Sequence, residues 1–364
     1  MSLTAGIAGL PNVGKSTLFN ALCSGGAAAE NYPFCTIEPN RGIAAVPDDR
    51  LSRLTAVSPS QKAAPAFLEL VDIAGLVTGA SRGEGLGNQF LGHLRAADAI
   101  VHVVRCFDDP DVVHVDGDVD PVRDCATIET EMLYKDLETV ERAREKAAKA
   151  AKSNNPRDRM RADMLERLGN ALGEGTPARA LRLSDPERLL LRELGLCTSK
   201  KTLYVANVDE TGYSAGNPAA DALESWAADR GETVVRICAQ LEAEIRELPP
   251  AEREEFLRGM GLPAPALTTL AREIYSLLDL VTFFTVSEKE NRAWPLRRGS
   301  PAPVAAGTVH SDFARGFICA DVYRLEELEA YGREAALRGA GKIRQEGREY
   351  IVEDGDIMYF KGNV

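Results

Sequence analysis

Gly9-Leu10-Pro11-Asn12-Val13-Gly14-Lys15-Ser16-Thr17 decides how the rest of the chain is read. The apolar run Leu3 to Ala8 predicts a short buried strand, and Ser16 to Leu22 the first turns of a helix. The glycines therefore fall at a strand-to-helix turn, the setting of a P-loop. Phosphate oxygens sit against backbone N–H groups there, which a side chain at Gly9 or Gly14 would crowd, and the helix N-terminus favours negative charge. Asn12, Val13, Gly14 and Thr17 belong to this cradle. Lys15 is placed to reach the β- and γ-phosphates, and the Ser16 hydroxyl to ligate Mg²⁺.

With 364 residues the chain predicts two or three domains, and 45% hydrophobic with 27% charged residues fits a globular protein. No apolar run approaches the roughly 18 residues of a membrane span, and no signal-peptide pattern precedes the first strand. A cytoplasmic protein is expected. Seven cysteines without CxxC pairing argue against a disulfide framework or a zinc site. A net charge of −12 excludes nucleic-acid binding by the whole surface and leaves only a local basic patch for it.

Two later segments complete a nucleotide switch. Thr36, in the loop Asn31-Tyr32-Pro33-Phe34-Cys35-Thr36-Ile37-Glu38-Pro39-Asn40, stands where such enzymes place the threonine that closes on Mg²⁺. Cys35 beside it suggests a redox input. Ala66 to Asp72 reads as a strand ending in Asp72-Ile73-Ala74-Gly75, with Asp72 on the metal and the Gly75 N–H on the γ-phosphate. Leu76 follows where Ras-like enzymes carry the water-orienting glutamine, so another group must position water. Of the four histidines, His114, in the acidic loop Asp108 to Pro121, combines loop freedom with an origin in the nucleotide domain.

From Ile128 to Ala151 the pattern predicts one long helix, with Leu133, Leu137, Val140, Ala143 and Ala147 on one face. Ser153-Asn154-Asn155-Pro156 breaks it, and a second helix over 157–172 can return antiparallel. Between Arg142 and Arg167 nine Lys or Arg face four acids, so Arg157, Arg159 and Arg161 are candidates for RNA contact. Lys201 to Asn207 reads as a strand leading into Asn207-Val208-Asp209-Glu210, where a GTPase carries NKxD. Val208 replaces the lysine. Glu210, one methylene too long, replaces the guanine-reading aspartate, while Asn207 can pair with N7 and the amino group of adenine. Cys238-Ala239 stands where related enzymes support the base.

The chain resembles the YchF/Ola1 family of P-loop ATPases, within the Obg-related, translation-factor-type NTPases, over nearly its whole length. GLPNVGKST at 9–17, NYPFCTIEPN at 31–40, DIAGLVTGASRGEGLGN at 72–88 and NVDE at 207–210 carry the likeness. The resemblance implies an α/β P-loop NTPase domain, an inserted helical hairpin (coiled coil) and a C-terminal ubiquitin-like β-grasp TGS domain. Their expected bounds are 1–127 with 196–277, 128–195, and 278–364. It further implies ATP as substrate with Mg²⁺, K⁺ beside the phosphates held through Asn12, and the ribosome or its large subunit as partner, with neither membrane nor DNA. Cys319 and Gly362 depart from the family, which tends to carry Arg and an aromatic there. The function expected is Mg²⁺-dependent hydrolysis of ATP to ADP and phosphate as a conformational switch on the translation machinery. The alternatives are a binding protein gated by ATP occupancy alone, or a GTPase of the same fold.

Overall fold

The computed structural model describes residues 3–23, 40–73, 86–109, 117–153, 155–260, 262 and 264–363. They divide into two compact units. The first gathers the described residues within Met1–Ala21, Glu38–Gly42 and Leu70–Leu267; the second, those within Leu22–Ile37, Ile43–Glu69 and Thr268–Val364.

The first unit is built on strands β1 (Thr4–Ala8), β5 (Ala99–Arg105), β6 (Thr202–Asn207) and β7 (Thr233–Ile237). With β2 (Arg41–Val46) and β4 (Ala66–Asp72) they form a sheet of order β2-β4-β1-β5-β6-β7. The pairs β1–β5, β5–β6 and β6–β7 are parallel, and all seven residues of β5 are buried, as a parallel strand covered on both faces demands. The C-terminal ends of these strands therefore share one edge, where open α/β sheets bind their ligands.

The long helix spans Pro121–Ala150, seven residues longer at its start than the apolar periodicity predicts. Asp120 caps it by accepting from Arg123 N at 3.0 Å, and Pro121 occupies the first turn, where a missing N–H costs nothing. Residues 121–127 before Ile128 thus add about two turns of helix. A second helix, Pro156–Gly173, packs on the first through Val140, Ala147, Met164, Leu165, Leu168 and Leu172, with Leu133, Leu137 and Ala143 at the margin. The predicted apolar face is the one used. Asp136, fully buried on the long helix, accepts from Thr198 N and Thr198 Oγ1 at 2.7 Å and from Cys197 N at 3.0 Å.

The second unit holds a sheet of order β11-β10-β12-β8-β9-β3, from β3 (Lys62–Ala64), β8 (Leu280–Thr285), β9 (Glu290–Arg297), β10 (Phe317–Arg324), β11 (Arg344–Glu346) and β12 (Asp356–Gly362). β8 pairs antiparallel with β9 and parallel with β12, β10 is antiparallel to β11 and β12, and the helix Ala302–Val309 buries Ala302, Ala305 and Ala306 in its core. The expected bounds placed residues 43–69 in the nucleotide domain; β2 and β4 do join its sheet, while the helix Asp49–Val57 and β3 between them pack with the second sheet. β3 pairs parallel with β9, Asn291 Nδ2 donates to Ser58 O at 2.7 Å, and Arg50 bonds Asp354 at 2.6 Å. Partners this distant leave no local signal. The departure at residue 362 also has a steric reason: a Cβ on Gly362 would overlap the Gly316 carbonyl, and one on Gly316 would overlap Asn363. The end of the helix Ser311–Gly316 and the end of β12 meet there backbone to backbone.

Candidate nucleotide-binding site

β1 ends in the turn 9–14, and the helix Lys15–Cys23 opens with Leu18 N donating to Gly14 O at 3.0 Å. Asn12 and Gly14 both have positive φ, 62° and 85°, a conformation tolerated by asparagine and free for glycine. Both glycines are required by the protein's own atoms: a Cβ on Gly9 would lie 2.5 Å from the Val103 carbonyl oxygen, and one on Gly14 would overlap the Asn207 amide nitrogen. The sequence reading located the crowding at the phosphates. The structure puts it against β5 and β6.

Lys15 forms an ion pair with Asp72 at the end of β4, and Ser16 Oγ donates to Asp72 Oδ2 at 3.4 Å. Asp72 is held in place by its own N–H, which donates to Asn40 O at 2.7 Å, while Ile73 N donates to Ile7 O at 3.0 Å. A hydroxyl and a carboxylate thus converge beside an ammonium at the P-loop, a donor set of hard oxygens suited to Mg²⁺. Thr36, Gly75, His114 and Cys35 lie outside the described residues.

On the other side of the loop, Asn207 ends β6 and is 4% exposed. Its Nδ2 donates to Val13 O at 2.9 Å, and its Oδ1 accepts from Ala239 N at 3.0 Å. This narrows the adenine contact expected of Asn207: one N–H and one lone pair remain for a base. Val208 is buried and donates from N to Ile237 O at 2.9 Å. Asp209 caps the helix Glu210–Ala215, accepting from Gly212 N at 2.6 Å, which places Glu210 exposed on its first turn. Cys238 precedes the helix Ala239–Glu247, and burial pushes its thiol up. A cleft of about 600 Å³ joins these groups, lined by Asn12, Gly14 and Thr17 of the P-loop, by Asn207, Val208 and Glu210, by Cys238 and Ala239, and by Phe107, Asp108 and Asp109. Its size suits a nucleotide-sized ligand.

Residues 107–109 were missed from sequence, as was the residue behind them. Arg105 closes β5 and is 1% exposed, donating from Nε to Phe107 O at 3.1 Å. The available signal was a lone arginine ending the apolar run Ala-Ile-Val-His-Val-Val. Of the other histidines, His102 is buried within β5. Burial, reinforced by Arg179, pushes its pKa down to about 4.

A phosphate turn after β1, a lysine and serine meeting the aspartate of β4, and a base-sized cleft at the strand ends define a P-loop nucleotide-binding protein. Residues 4–144 match the family described as "50S ribosome-binding GTPase", and residues 280–363 match the YchF-GTPase C-terminal family, described as "Protein of unknown function (DUF933)". The chain is 47% identical to the ribosome-binding ATPase YchF of Bacillus subtilis, over all of both chains. It is 41% identical to the Obg-like ATPase 1 of Caenorhabditis elegans, over all of this chain and 93% of that one. The solved YchF GTPase of Schizosaccharomyces pombe superposes with a TM-score of 0.89 at 36% identity, covering 99% of this chain and 98% of that one. The chain belongs to the YchF/Ola1 family of P-loop ATPases.

Proposed function

We propose that this protein binds and hydrolyses ATP to ADP and phosphate with Mg²⁺, and that the nucleotide state governs its association with the ribosome in the cytoplasm. The convergence of Lys15, Ser16 and Asp72 carries the nucleotide part of this reading. The names of its relatives, ribosome-binding ATPases, support the rest. Ser16 and Asp72, joined by Thr36, would hold the metal, which would supply charge neutralisation to the phosphates. Lys15 binds the same oxygens, the turn 12–17 orients them, and the Gly75 N–H meets the γ-phosphate. His114 accepts a proton-side hydrogen bond from the attacking water and orients it, the task that Leu76 cannot perform. Asn12 assists K⁺ binding beside the phosphates.

Adenine is preferred because Val208 stands where a guanine-reading loop carries its lysine, and Glu210, the first residue of its helix, carries a carboxylate one methylene longer than the guanine-reading aspartate. We read residues 278–364 as a β-grasp TGS module, on the strand order β11-β10-β12-β8-β9, and residues 128–195, which hold most of the helix Pro121–Ala150 and all of Pro156–Gly173, as an inserted helical hairpin. GTP is the competing substrate, since a relative of solved structure is named a GTPase. Competition binding separates the two: ATP is expected to outcompete GTP by about tenfold, roughly 1.4 kcal/mol, and equal competition refutes the base assignment. Co-sedimentation with ribosomes in ATP but not in ADP tests the switch. Binding that depends on ATP, with turnover unaltered by ribosomes, would instead favour gating by occupancy.

A further inference from the structure

We infer that Arg105 is a positioning residue for the nucleoside: by gripping the main chain of residues 107–109 it fixes one wall of the cleft and sets the affinity for the base. This rests on reading the cleft as the nucleotide site.

Arg105 lies at the ligand-binding edge of the sheet, opposite Asn207 in the β5–β6 register. A guanidinium 1% exposed at the end of an apolar strand is costly to desolvate unless its N–H groups are bonded. Here Nε donates to Phe107 O at 3.1 Å and Nη2 to Asp109 O at 3.3 Å, and the guanidinium carbon lies over the Phe107 ring, 4.6 Å from its centroid. Two carbonyls on either side of Asp108 and the intervening ring are thereby held by one rigid fork. The residue between is fixed independently: Cys106 N donates to Asn207 O at 2.8 Å, and Cys106 O accepts from Asn217 Nδ2 at 2.7 Å.

Phe107, Asp108 and Asp109 line the cleft together with Val208 and Cys238. A half-buried aromatic ring in such a wall offers a face to a base, and stacking tolerates any base while requiring that the ring not move. Lysine cannot replace this arginine. Its ammonium is a point charge that cannot reach both carbonyls and stack flat at once.

The test is calorimetric titration of the full chain with MgATP and with tripolyphosphate, which has no base, in the parent, Arg105→Lys, Arg105→Met and Phe107→Ala. MgATP should bind at least about tenfold more weakly in Arg105→Lys and Phe107→Ala, while tripolyphosphate affinity changes by less than about threefold. Unchanged MgATP affinity in both variants overturns the inference. A parallel loss of tripolyphosphate does so too, because it makes Arg105 a support of the P-loop. Urea melts identify a variant that fails to fold, and Phe107→Ala, which leaves Arg105 in place, then decides. A parent that binds tripolyphosphate but no ATP refutes the site reading itself and takes the inference with it.

Discussion

The Asn207 side chain joins the two halves of the candidate site: Nδ2 donates to Val13 O at 2.9 Å and Oδ1 accepts from Ala239 N at 3.0 Å. One buried amide thus braces the phosphate turn against the loop after β7. Asn207→Leu leaves both backbone groups unpaired, a loss of about 1–3 kcal/mol. Chemical denaturation should register that loss, and ATP and GTP should weaken together. A loss confined to ATP would assign Asn207 to base reading alone.

Gly14→Ala imposes two penalties on one residue, a φ of 85° and a Cβ that overlaps the Asn207 amide. Because the strain is confined to one turn and the Asn207 amide beside it, the fold should persist with a melting temperature within a few degrees of the parent, while calorimetry detects no MgATP binding. Retained affinity would mean that the turn relaxes without cost.

His102 gives the protein an acid-sensitive core. Its folded pKa of about 4 lies below the ordinary value of 6.5, so between these values the unfolded chain binds the extra proton. The stabilisation is complete above about pH 6.5, falls as pH drops, and is lost once pH passes about 4, a total of about 3 kcal/mol. Urea melts from pH 7 to 4 should show a shallower decline in His102→Leu than in the parent. Identical slopes would place the acid sensitivity elsewhere.

His114→Ala should lower single-turnover ATP hydrolysis at least about tenfold with little change in ATP affinity, a barrier increase of roughly 1.4 kcal/mol. Full activity would transfer the water-orienting role to the γ-phosphate or to a partner. Parallel loss of binding would make the residue structural.

The basic helical pair offers a narrower RNA test than its composition implied. Arg161 bonds Glu193 at 3.2 Å and Arg167 pairs with Glu187, so part of that charge is neutralised within the fold. Arg157 and Arg159 are exposed near the tip. Converting both to Glu should weaken ribosome binding and reduce the slope of log affinity against log salt by about 2. An unaltered slope would return the patch to an ordinary solvated surface.

The phosphate half of the site was legible because its chemistry is local. Turn, lysine and serine are neighbours in sequence, and Asp72 announces itself at the end of an apolar strand. The base half was legible only in part. Asn207 was located, yet its bracing role depends on Val13 and Ala239, partners that no local pattern names. Arg105 looked like the polar end of a strand because its carbonyl partners carry no side-chain signature. The helix start at Pro121 was readable from Asp120-Pro121, and apolar periodicity overrode that cap signal. The contacts of Ser58 and Arg50 were illegible for a different reason: their partners, Asn291 and Asp354, follow hundreds of residues later.

That last pairing also bears on the order of synthesis. β3 is complete once Ala64 has been made, but its neighbour β9 begins only at Glu290. At about 5–20 residues per second the segment waits roughly 10–50 s for the strand it lies against. During that interval the edge of β3 lacks β9, Arg53 lacks Glu329, and Arg50, which already bonds Asp48 at 2.7 Å, lacks Asp354. The second unit therefore closes only after the strands from Leu280 onward have been made.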